Sequence, residues 1–220
     1  MDLSKYINKY KGKRGFVIGG GYSIKEYQEK RFDFSLLNDE ITVGANKAYK
    51  VCKVKFLIFL DFKFYQQYKE EINKLDCIKL APSWAERLQD FKGREDTFIF
   101  KNCTANYLPT TFNCIRTANN SGVVALRIAY LLGLNPIYLV GIDLVKEHFG
   151  TDKMHFHDDY PESWVKSIKK KICDFFITEF VRTIEALKEK GIQVYSCYER
   201  SGLNEYIPYI NLFDLFKEKK

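Results

Sequence analysis

The segment from Asn119 to Asp143 constrains the fold more than any other part of this chain. It reads NNSGVVALRIAYLLGLNPIYLVGID, which predicts a polar turn, an apolar helix, a turn at Asn135 and Pro136, and a short buried strand ending on a glycine and an acid. Near the N-terminus, GFVIGGGYSI predicts the same succession of a strand, a glycine-rich turn and a helix start. Such units bring their polar turns to one edge of a sheet, where an open α/β sheet binds its ligands.

Short apolar runs alternate with segments of helical spacing along the chain. The runs lack a clean period of two, which is typical of strands covered on both faces. The predicted strands are Gly15–Gly19, Ile41–Gly44, Phe56–Leu60, Cys77–Ala81, Thr97–Phe100, Ile137–Val140 and Gln193–Cys197. The predicted helices are Ile24–Lys30, Phe62–Lys74, Pro82–Gln89, Ser121–Leu132, Trp164–Lys190 and Leu212–Lys219. This order predicts an α/β fold: a single domain, residues 1–220, with a doubly wound, mostly parallel, Rossmann-like sheet.

The composition argues against several classes of protein. Hydrophobic residues make up 46% of the 220 residues, which is enough for a core. No apolar run approaches the roughly 20 residues of a membrane span, and the charged start MDLSKYINKYKGKRG lacks the apolar region of a signal peptide. The net charge of +7 is spread along the chain and no nucleic-acid-binding motif is visible. We therefore expect a cytoplasmic protein with no transmembrane segment and no nucleic-acid partner.

The cysteines show no pattern of a metal site or a disulfide framework. No pair is spaced as CxxC, and no secretory signal accompanies them. We therefore expect buried thiols at all six positions, which are Cys52, Cys77, Cys103, Cys114, Cys173 and Cys197.

Glycines and polar residues follow several of the predicted strands. Single residues of this kind mean little, because Gly, Asn and Asp are common in turns. Several at the carboxyl edge of one sheet are more than turns require, so we expect a ligand site there. The turns concerned are Gly19–Ser23, Gly44–Asn46, Asp61, Gly141–Asp143 and Tyr198–Gly202.

The first of these turns, Gly19–Ser23, could wrap a phosphate, because free N–H groups before a helix favour an anion. It matches neither the GxGxxG dinucleotide motif nor the P-loop, since Ile24 stands at the third glycine position and GK[ST] is missing. The hydroxyl of Ser23 is also expected to cap the helix that follows. The turn alone is thus a weak indication of phosphate binding.

Two long segments, Lys101–Ala118 and Leu144–Ser163, interrupt the alternation, and segments this long are usually functional or mobile. The second contains MHFHDDYPESW, in which His155 and His157 lie beside two acids. Three interpretations remain open. The histidines and acids could bind a divalent metal, one histidine could act as a general base, or the loop could simply be solvated.

The segment SGVVALRIAYLLGLNPIYLVGIDL resembles the matching part of a superfamily with three branches. These are the bacterial sialyltransferases that use CMP-sialic acid, the motility accessory factors that glycosylate flagellin with nonulosonic acids, and the archaeal-type 6-hydroxymethyl-dihydropterin pyrophosphokinases, or MptE-like proteins. GFVIGGGYSI, TVGANKAY, HFHDDY and SGLNEYIPYI resemble further segments of these proteins, so that the resemblance spans about Gly15 to Ile210. It differs in the first turn, where the family's Asn or Ala and its Pro are replaced by Gly20 and Tyr22.

The resemblance implies roles for individual residues. It implies that a nucleotide donor lies against the first turn, the second strand's asparagine, the SGV turn and the GID turn, with one loop tyrosine near the phosphate. It also implies that His157 or His155 is the general base. The implied nucleotide-binding residues are Gly19, Gly20, Gly21, Ser23, Asn46, Asn120, Ser121, Gly122, Gly141, Asp143 and Tyr160.

The leading hypothesis is a glycosyltransferase that takes a nucleotide-activated sugar, with a CMP-linked nonulosonic acid as the favoured donor, and transfers the sugar to a glycan or protein acceptor. It requires no cofactor or metal, and the chain could form homo-oligomers. One alternative is a 6-hydroxymethyl-dihydropterin pyrophosphokinase that uses ATP and Mg²⁺, with metal carboxylates among Asp61, Asp143, Asp158 and Asp159. Another is a nucleotide-binding member of the superfamily without catalytic activity.

Overall fold

The computed structural model describes residues 2–104, 106–167 and 170–217. Within these ranges the strands are β1 (Gly15–Ile18), β2 (Ile41–Ala45), β3 (Phe56–Ile58), β4 (Ile78–Pro82), β5 (Thr97–Asn102), β6 (Cys114–Ile115), β7 (Ile137–Val140) and β8 (Val194–Ser196). The α-helices are α1 (Ser23–Glu29), α2 (Phe62–Ile72), α3 (Ser121–Leu131), α4 (Glu162–Ser167), α5 (Lys170–Glu189) and α6 (Leu212–Phe216). The strands form one sheet of order β6-β5-β4-β3-β2-β1-β7-β8, and neighbouring strands run parallel. The predicted parallel α/β fold is confirmed.

Both faces of the sheet are buried over most of its area, which explains why the strands are mainly apolar. In β1 the side chains of Phe16 and Ile18 pack on one face and that of Val17 on the other. Helices α3 and α5 cover the face of Val17, and helices α1, α2 and α6 cover the opposite face. Among the described residues, no helix combines the length and the apolar character that crossing a membrane requires.

The chain reverses its direction of travel across the sheet beside β1. From β1 it proceeds outward through β2 to β6, and it then returns to place β7 on the other side of β1. Val17 of β1 accordingly pairs with Val43 of β2 and with Leu139 of β7. In open α/β sheets a crevice forms at the carboxyl ends of the strands where this reversal occurs.

Some predicted helices differ from the observed ones. The prediction of a helix over Pro82–Gln89 is wrong: Pro82 ends β4 in an extended conformation, and Leu88 is also extended, so only short 3₁₀ turns form between and after them. The predicted helix Trp164–Lys190 is covered by α4 and α5, with residues 168 and 169 outside the described residues. The end of the predicted helix Leu212–Lys219 also lies outside them.

The prediction that all six cysteines are free thiols is wrong for one pair. Cys103 and Cys114 form a disulfide, with Cα atoms 5.6 Å apart. The cause is the short strand β6, which the sequence did not predict. Its pairing with β5 places Lys101 opposite Cys114 and thereby brings Cys103 close. The other cysteines are free thiols, as expected; Cys52, Cys173 and Cys197 are buried and Cys77 is half-buried.

Candidate active site

A cleft of about 530 Å³ opens at the carboxyl ends of the strands, at the reversal between β1 and β7. The turns after β1, β2 and β7, the start of α3 and the histidine-containing segment all reach it. Every predicted catalytic or nucleotide-binding residue lines this cleft except Ser23, which is buried behind it. Those lining it are Gly19, Gly20, Gly21, Asn46, Asn120, Ser121, Gly122, Gly141, Asp143, His155, His157 and Tyr160.

The turns that follow β1 and β7 are joined by backbone hydrogen bonds. The N–H of Gly19 donates to the carbonyl of Val140 at 2.8 Å, and the N–H of Gly21 donates to the carbonyl of Gly141 at 2.9 Å. The approach leaves no room for a side chain at Gly19, where a Cβ atom would lie 2.3 Å from the Gly141 carbonyl oxygen. Gly141 itself has a positive φ of 65°, a conformation that glycine adopts without strain.

Asp143 caps helix α1 from the neighbouring turn. Its carboxylate accepts hydrogen bonds from the N–H of Ser23 at 2.7 Å and from the hydroxyl of Ser23 at 2.5 Å. The expectation that Ser23 itself caps the helix is therefore wrong, since its hydroxyl serves Asp143 and Tyr22 occupies the cap position without a side-chain bond. Because Gly19, Gly21 and Ser23 already donate their N–H groups within the protein, the first turn offers fewer donors to a phosphate than its sequence indicates.

Burial raises the pKa of Asp143 from its ordinary 3.8 to about 6, although the two hydrogen bonds from Ser23 act in the opposite direction. The folded chain therefore holds this proton more tightly than the unfolded chain. The associated stabilisation is present at low pH and is lost as the pH rises through about 6. At neutral pH the group is mostly a carboxylate, the form that accepts both bonds from Ser23.

The variant Asp143→Asn tests the raised pKa of Asp143, because asparagine does not ionise and so removes this source of pH dependence. Between about pH 4 and pH 6 we expect the free energy of unfolding of the wild type, relative to the variant, to fall by roughly 1.4 kcal/mol per pH unit. Urea unfolding of both proteins at several pH values measures it. Asp33→Asn is the control, because Asp33 is exposed and its pKa is lowered by hydrogen bonds from Ser35. Parallel pH profiles for the wild type and Asp143→Asn would contradict the account.

The N-terminus of α3 faces the cleft beside the turn after β2. Asn120 caps this helix, since its side-chain oxygen accepts the N–H of Val123 at 3.1 Å, and the Ser121 hydroxyl lies 3.3 Å from the Asn46 side-chain oxygen. The first N–H groups of a helix have no acceptor within the helix and attract anions. Asn46 and Asn119 hold positive φ angles of 52° and 51°, and such backbone strain concentrates at functional sites.

The segment His155–Tyr160, here called the His loop, lies across the first glycine turn. The N–H of Phe156 donates to the carbonyl of Gly20 at 3.0 Å. The rings of His155 and His157 stack with centroids 5.6 Å apart, and the ring of Tyr160 meets that of His157 edge-on at 4.4 Å. The loop is thus an ordered part of the cleft wall.

The histidines of the loop are neutral at physiological pH. Burial lowers the pKa of His155 and of His157 from 6.5 to about 4, and for His157 the charges of His155 and Lys47 add to the effect. The Gly20 backbone acts in the opposite direction on the pKa of His155, because it favours the protonated ring. In the part of the chain that the structure describes, neither ring nitrogen of His157 has a hydrogen-bond partner. Both nitrogens are buried. Within the loop, His157 is therefore the histidine whose ring nitrogens are not committed to another group; His148, outside the loop, also lines the cleft, and its Nδ1 has no partner among the described residues.

Two residues that adjoin the His loop, Lys47 and Tyr68, were not predicted from the sequence. Lys47 follows Asn46 and lines the cleft, yet it is buried; its ammonium pairs with the carboxylate of Asp159. Tyr68 of α2 lies below it, with the ammonium 3.8 Å from the ring centroid. The position of Lys47 directly after Asn46 was the one available signal, but nothing in the sequence separates it from the many exposed lysines.

The predicted metal carboxylates do not converge. Asp61 caps α2 by accepting the N–H of Lys63 at 2.6 Å, Asp143 is occupied by Ser23, and Asp159 pairs with Lys47. Over residues 2–104, 106–167 and 170–217, no three His, Cys, Asp or Glu side chains are grouped as a metal site would need. The described residues therefore do not fit the Mg²⁺ site of the pyrophosphokinase alternative.

An apolar wall completes the cleft on the side of α4 and α5. It was not predicted as part of the site, because the helical spacing of α5 indicated only packing against the sheet. Its members are Phe149, Met154, Trp164, Val165, Phe176 and Phe180. The cleft therefore offers polar groups at the strand ends and an apolar surface opposite them.

Comparison with solved structures identifies the fold. The sialyltransferase CstII from Campylobacter jejuni, in complex with the substrate analogue CMP-3FNeuAc, matches with a TM-score of 0.53 and 15% identity over 90% of this chain and 86% of that one. The monofunctional alpha-2,3-sialyltransferase Cst-I from the same organism matches with a TM-score of 0.51 and 16% identity over 90% of this chain and 80% of that one. At such identities the similarity establishes a shared sialyltransferase-like fold.

The MAf glycosyltransferase from Magnetospirillum magneticum AMB-1 matches with a TM-score of 0.57 and 15% identity. The match covers 96% of this chain but 37% of that one, so the chain corresponds to a part of the larger protein. No protein-family model and no curated protein matches the sequence. The resemblance to the glycosyltransferase branches is confirmed at the level of the fold, and the MptE-like branch stays a prediction.

Proposed function

We propose that this chain is a glycosyltransferase whose donor is a nucleotide-activated sugar, with a CMP-linked nonulosonic acid as the favoured donor. The observation that carries the proposal is the shared cleft of His157 and the α3 N-terminus. A neutral imidazole with unpartnered nitrogens and an anion-attracting helix start belong to residues that line the same cleft. Support also comes from the fold, since solved relatives include sialyltransferases in complex with CMP-3FNeuAc and with a trisaccharide acceptor and CMP.

The donor phosphate is assigned to the start of α3. The N–H groups of Ser121 and Gly122 supply donors there, and the helix dipole adds a partial positive charge. The hydroxyl of Ser121 donates to the side-chain oxygen of Asn46 at 3.3 Å. The amide nitrogen of Asn120 remains available to the nucleotide because its oxygen is the one that caps the helix. Asn46 and Asp143 lie at the adjoining strand ends, where base and ribose are proposed to bind.

His157 is assigned the role of general base. It removes the proton from an acceptor hydroxyl as that oxygen attacks the anomeric carbon of the donor. The bond between the anomeric carbon and the phosphate oxygen breaks, and CMP leaves with the electron pair. Donors placed where the negative charge of the departing phosphate develops lower the barrier, and one phosphate requires no metal for this. His155, which stacks on His157, supports the base.

The proposed enzyme is a single-domain, cytoplasmic protein that acts on a glycan or protein acceptor and could form homo-oligomers. The altered first turn keeps the non-catalytic alternative open to test, since Gly20 and Tyr22 replace the family's residues.

Release of CMP from a CMP-linked nonulosonic acid, in the presence and absence of sugar acceptors, tests the assigned reaction. We expect free CMP to accumulate with the enzyme and to increase with a suitable acceptor. Binding of CMP without its release from any of a panel of CMP-linked sugars would favour the non-catalytic alternative. Formation of AMP from ATP and a hydroxymethylpterin would establish the pyrophosphokinase instead.

A further inference from the structure

Lys47 is a buried cation whose ion-pair partner, Asp159, belongs to the His loop. This loop forms part of the cleft wall. The side chain of Lys47 is 1% exposed, whereas that of its partner Asp159 is 58% exposed. The carboxylate therefore lies on the solvent side of the ammonium. On the protein side, the ammonium faces the ring of Tyr68 at 3.8 Å, an attractive cation–π contact.

The backbone of the His loop is attached at the same place. The hydroxyl of Tyr68 donates to the carbonyl oxygen of Asp159 at 3.0 Å. Lys47 thus holds the side chain of Asp159 while Tyr68 holds its main chain. Since Asp159 follows His157 by two residues, these contacts fix the position of the catalytic end of the loop.

We propose that Lys47, acting through Asp159 and together with Tyr68, is a positioning residue that fastens the His loop over the cleft and orients His157. The inference rests on the proposed function for its catalytic consequence. Lys47 does not act on the donor or the acceptor in this account. Its effect passes through the loop.

The fastening is strong because one partner is buried. An exposed ion pair contributes little to stability, but a buried ammonium that loses its counter-charge is costly. If the loop opened, Lys47 would lose the carboxylate of Asp159 and its ammonium would be left without a counter-charge. The closed arrangement is therefore favoured. Because Asp159 is exposed, water weakens the Coulomb attraction between its carboxylate and the ammonium of Lys47. The burial of Lys47 favours the closed loop, because only in that arrangement does the ammonium keep its counter-charge.

The opposite end of the loop is fastened by the bond between the Phe156 N–H and the Gly20 carbonyl, at 3.0 Å. His157 therefore lies between two attachments. The ring of Tyr160 fills the space between them, with its centroid 4.4 Å from that of His157 and 6.3 Å from that of Tyr68. If the contacts of Asp159 with Lys47 and Tyr68 are lost, Tyr160 and His157 become free to move together. The hydrogen bond between Phe156 and Gly20 is then the attachment that remains.

The variant Lys47→Met removes the charge and keeps most of the length of the unbranched side chain. We expect amide hydrogen exchange in the His loop to accelerate by about tenfold or more, because local opening becomes easier. The pKa of His157, followed by NMR, should rise from about 4 toward 6.5, since burial decreases and a nearby positive charge is lost. For CMP release, kcat should fall about tenfold or more with little change in the KM of the donor. Because Lys47→Arg keeps the positive charge, it should largely restore the exchange rate of the loop, the pKa of His157 and kcat.

Lys50→Met is the matched control. Lys50 lies on the same 3₁₀ turn, also lowers the pKa of His157, and pairs with Glu71 of α2 at 2.6 Å instead of with the loop. It should leave exchange in the His loop unchanged. Asp159→Ala, at an exposed position, should accelerate that exchange like Lys47→Met and serves if the buried variant fails to fold.

Unchanged exchange in the His loop of Lys47→Met, or of Asp159→Ala if only that variant folds, would overturn the proposal. Equal acceleration in Lys50→Met would overturn it as well, because the effect would then be general destabilisation. The exchange and NMR measurements need no donor. If the wild type releases no CMP, the proposed function fails, while these two measurements still decide whether Lys47 fastens the loop.

Discussion

Replacing His157 by asparagine should lower the rate of CMP release from a CMP-linked donor by about 10²- to 10⁴-fold, the range typical for loss of a general base. Asparagine is polar and similar in size to part of the imidazole ring, but its amide is not basic enough to accept the proton. Binding of CMP should be little changed, because the phosphate is assigned to Ser121 and Gly122 rather than to the loop. The loss should therefore fall on kcat more than on the KM of the donor.

The comparison with His155→Asn distinguishes the base from its neighbour. The ring of His155 lies against the first glycine turn, with Nδ1 3.7 Å from the position a Cβ would take at Gly20, whereas both ring nitrogens of His157 lack partners among the described residues. We expect His155→Asn to lose less activity than His157→Asn. If His155→Asn showed the larger loss with an intact fold, the two roles would have to be exchanged. If neither variant lost activity, the loop histidines would not be the base.

The variant Gly19→Ala should destabilise the fold by about 3 kcal/mol, as expected for overpacking against backbone. Its Cβ would lie 2.3 Å from the Gly141 carbonyl oxygen and 2.5 Å from Cδ1 of Ile142. Relief requires the turns after β1 and β7 to separate, which would also pull Asp143 away from Ser23. We therefore expect weaker CMP binding together with the lower stability, measured by urea unfolding and calorimetry.

Gly20→Ala is the control for this effect within the same turn. Its Cβ would have His155 Nδ1 as its nearest neighbour at 3.7 Å, which is an ordinary contact. The stability of Gly20→Ala should therefore stay within about 1 kcal/mol of the wild type. Equal stability of Gly19→Ala and Gly20→Ala would show that the two turns are not packed as described.

The sheet and its ligand edge were predictable because they depend on short-range patterns. The apolar run Ile137–Val140 and the glycine turns that follow β1 and β7 define strand ends, and parallel strands place those ends together. The backbone hydrogen bonds between neighbouring strands restrict the conformation of the turn that follows each strand. The resemblance to glycosyltransferases added roles, but the position of the cleft followed from the strands themselves.

Long-range contacts account for what the sequence did not indicate. Asp143 binds Ser23 across 120 residues of chain, and no local pattern shows that this acid caps a helix rather than facing a ligand. The disulfide between Cys103 and Cys114 depends on the two-residue strand β6, which is too short to be recognised by periodicity. Lys47 became significant only when Asp159 was found beside it.

Calorimetric titration of the wild-type chain with CMP, CDP, UDP and ATP tests whether the cleft between the turns of β1 and β7 binds the nucleotide of a CMP-linked donor, with its phosphate at Ser121. We expect CMP to bind with a Kd below about 1 mM, more tightly than UDP or ATP, and Gly19→Ala to weaken that binding. No detectable binding of CMP at millimolar concentration, or preferential binding of ATP, would contradict it.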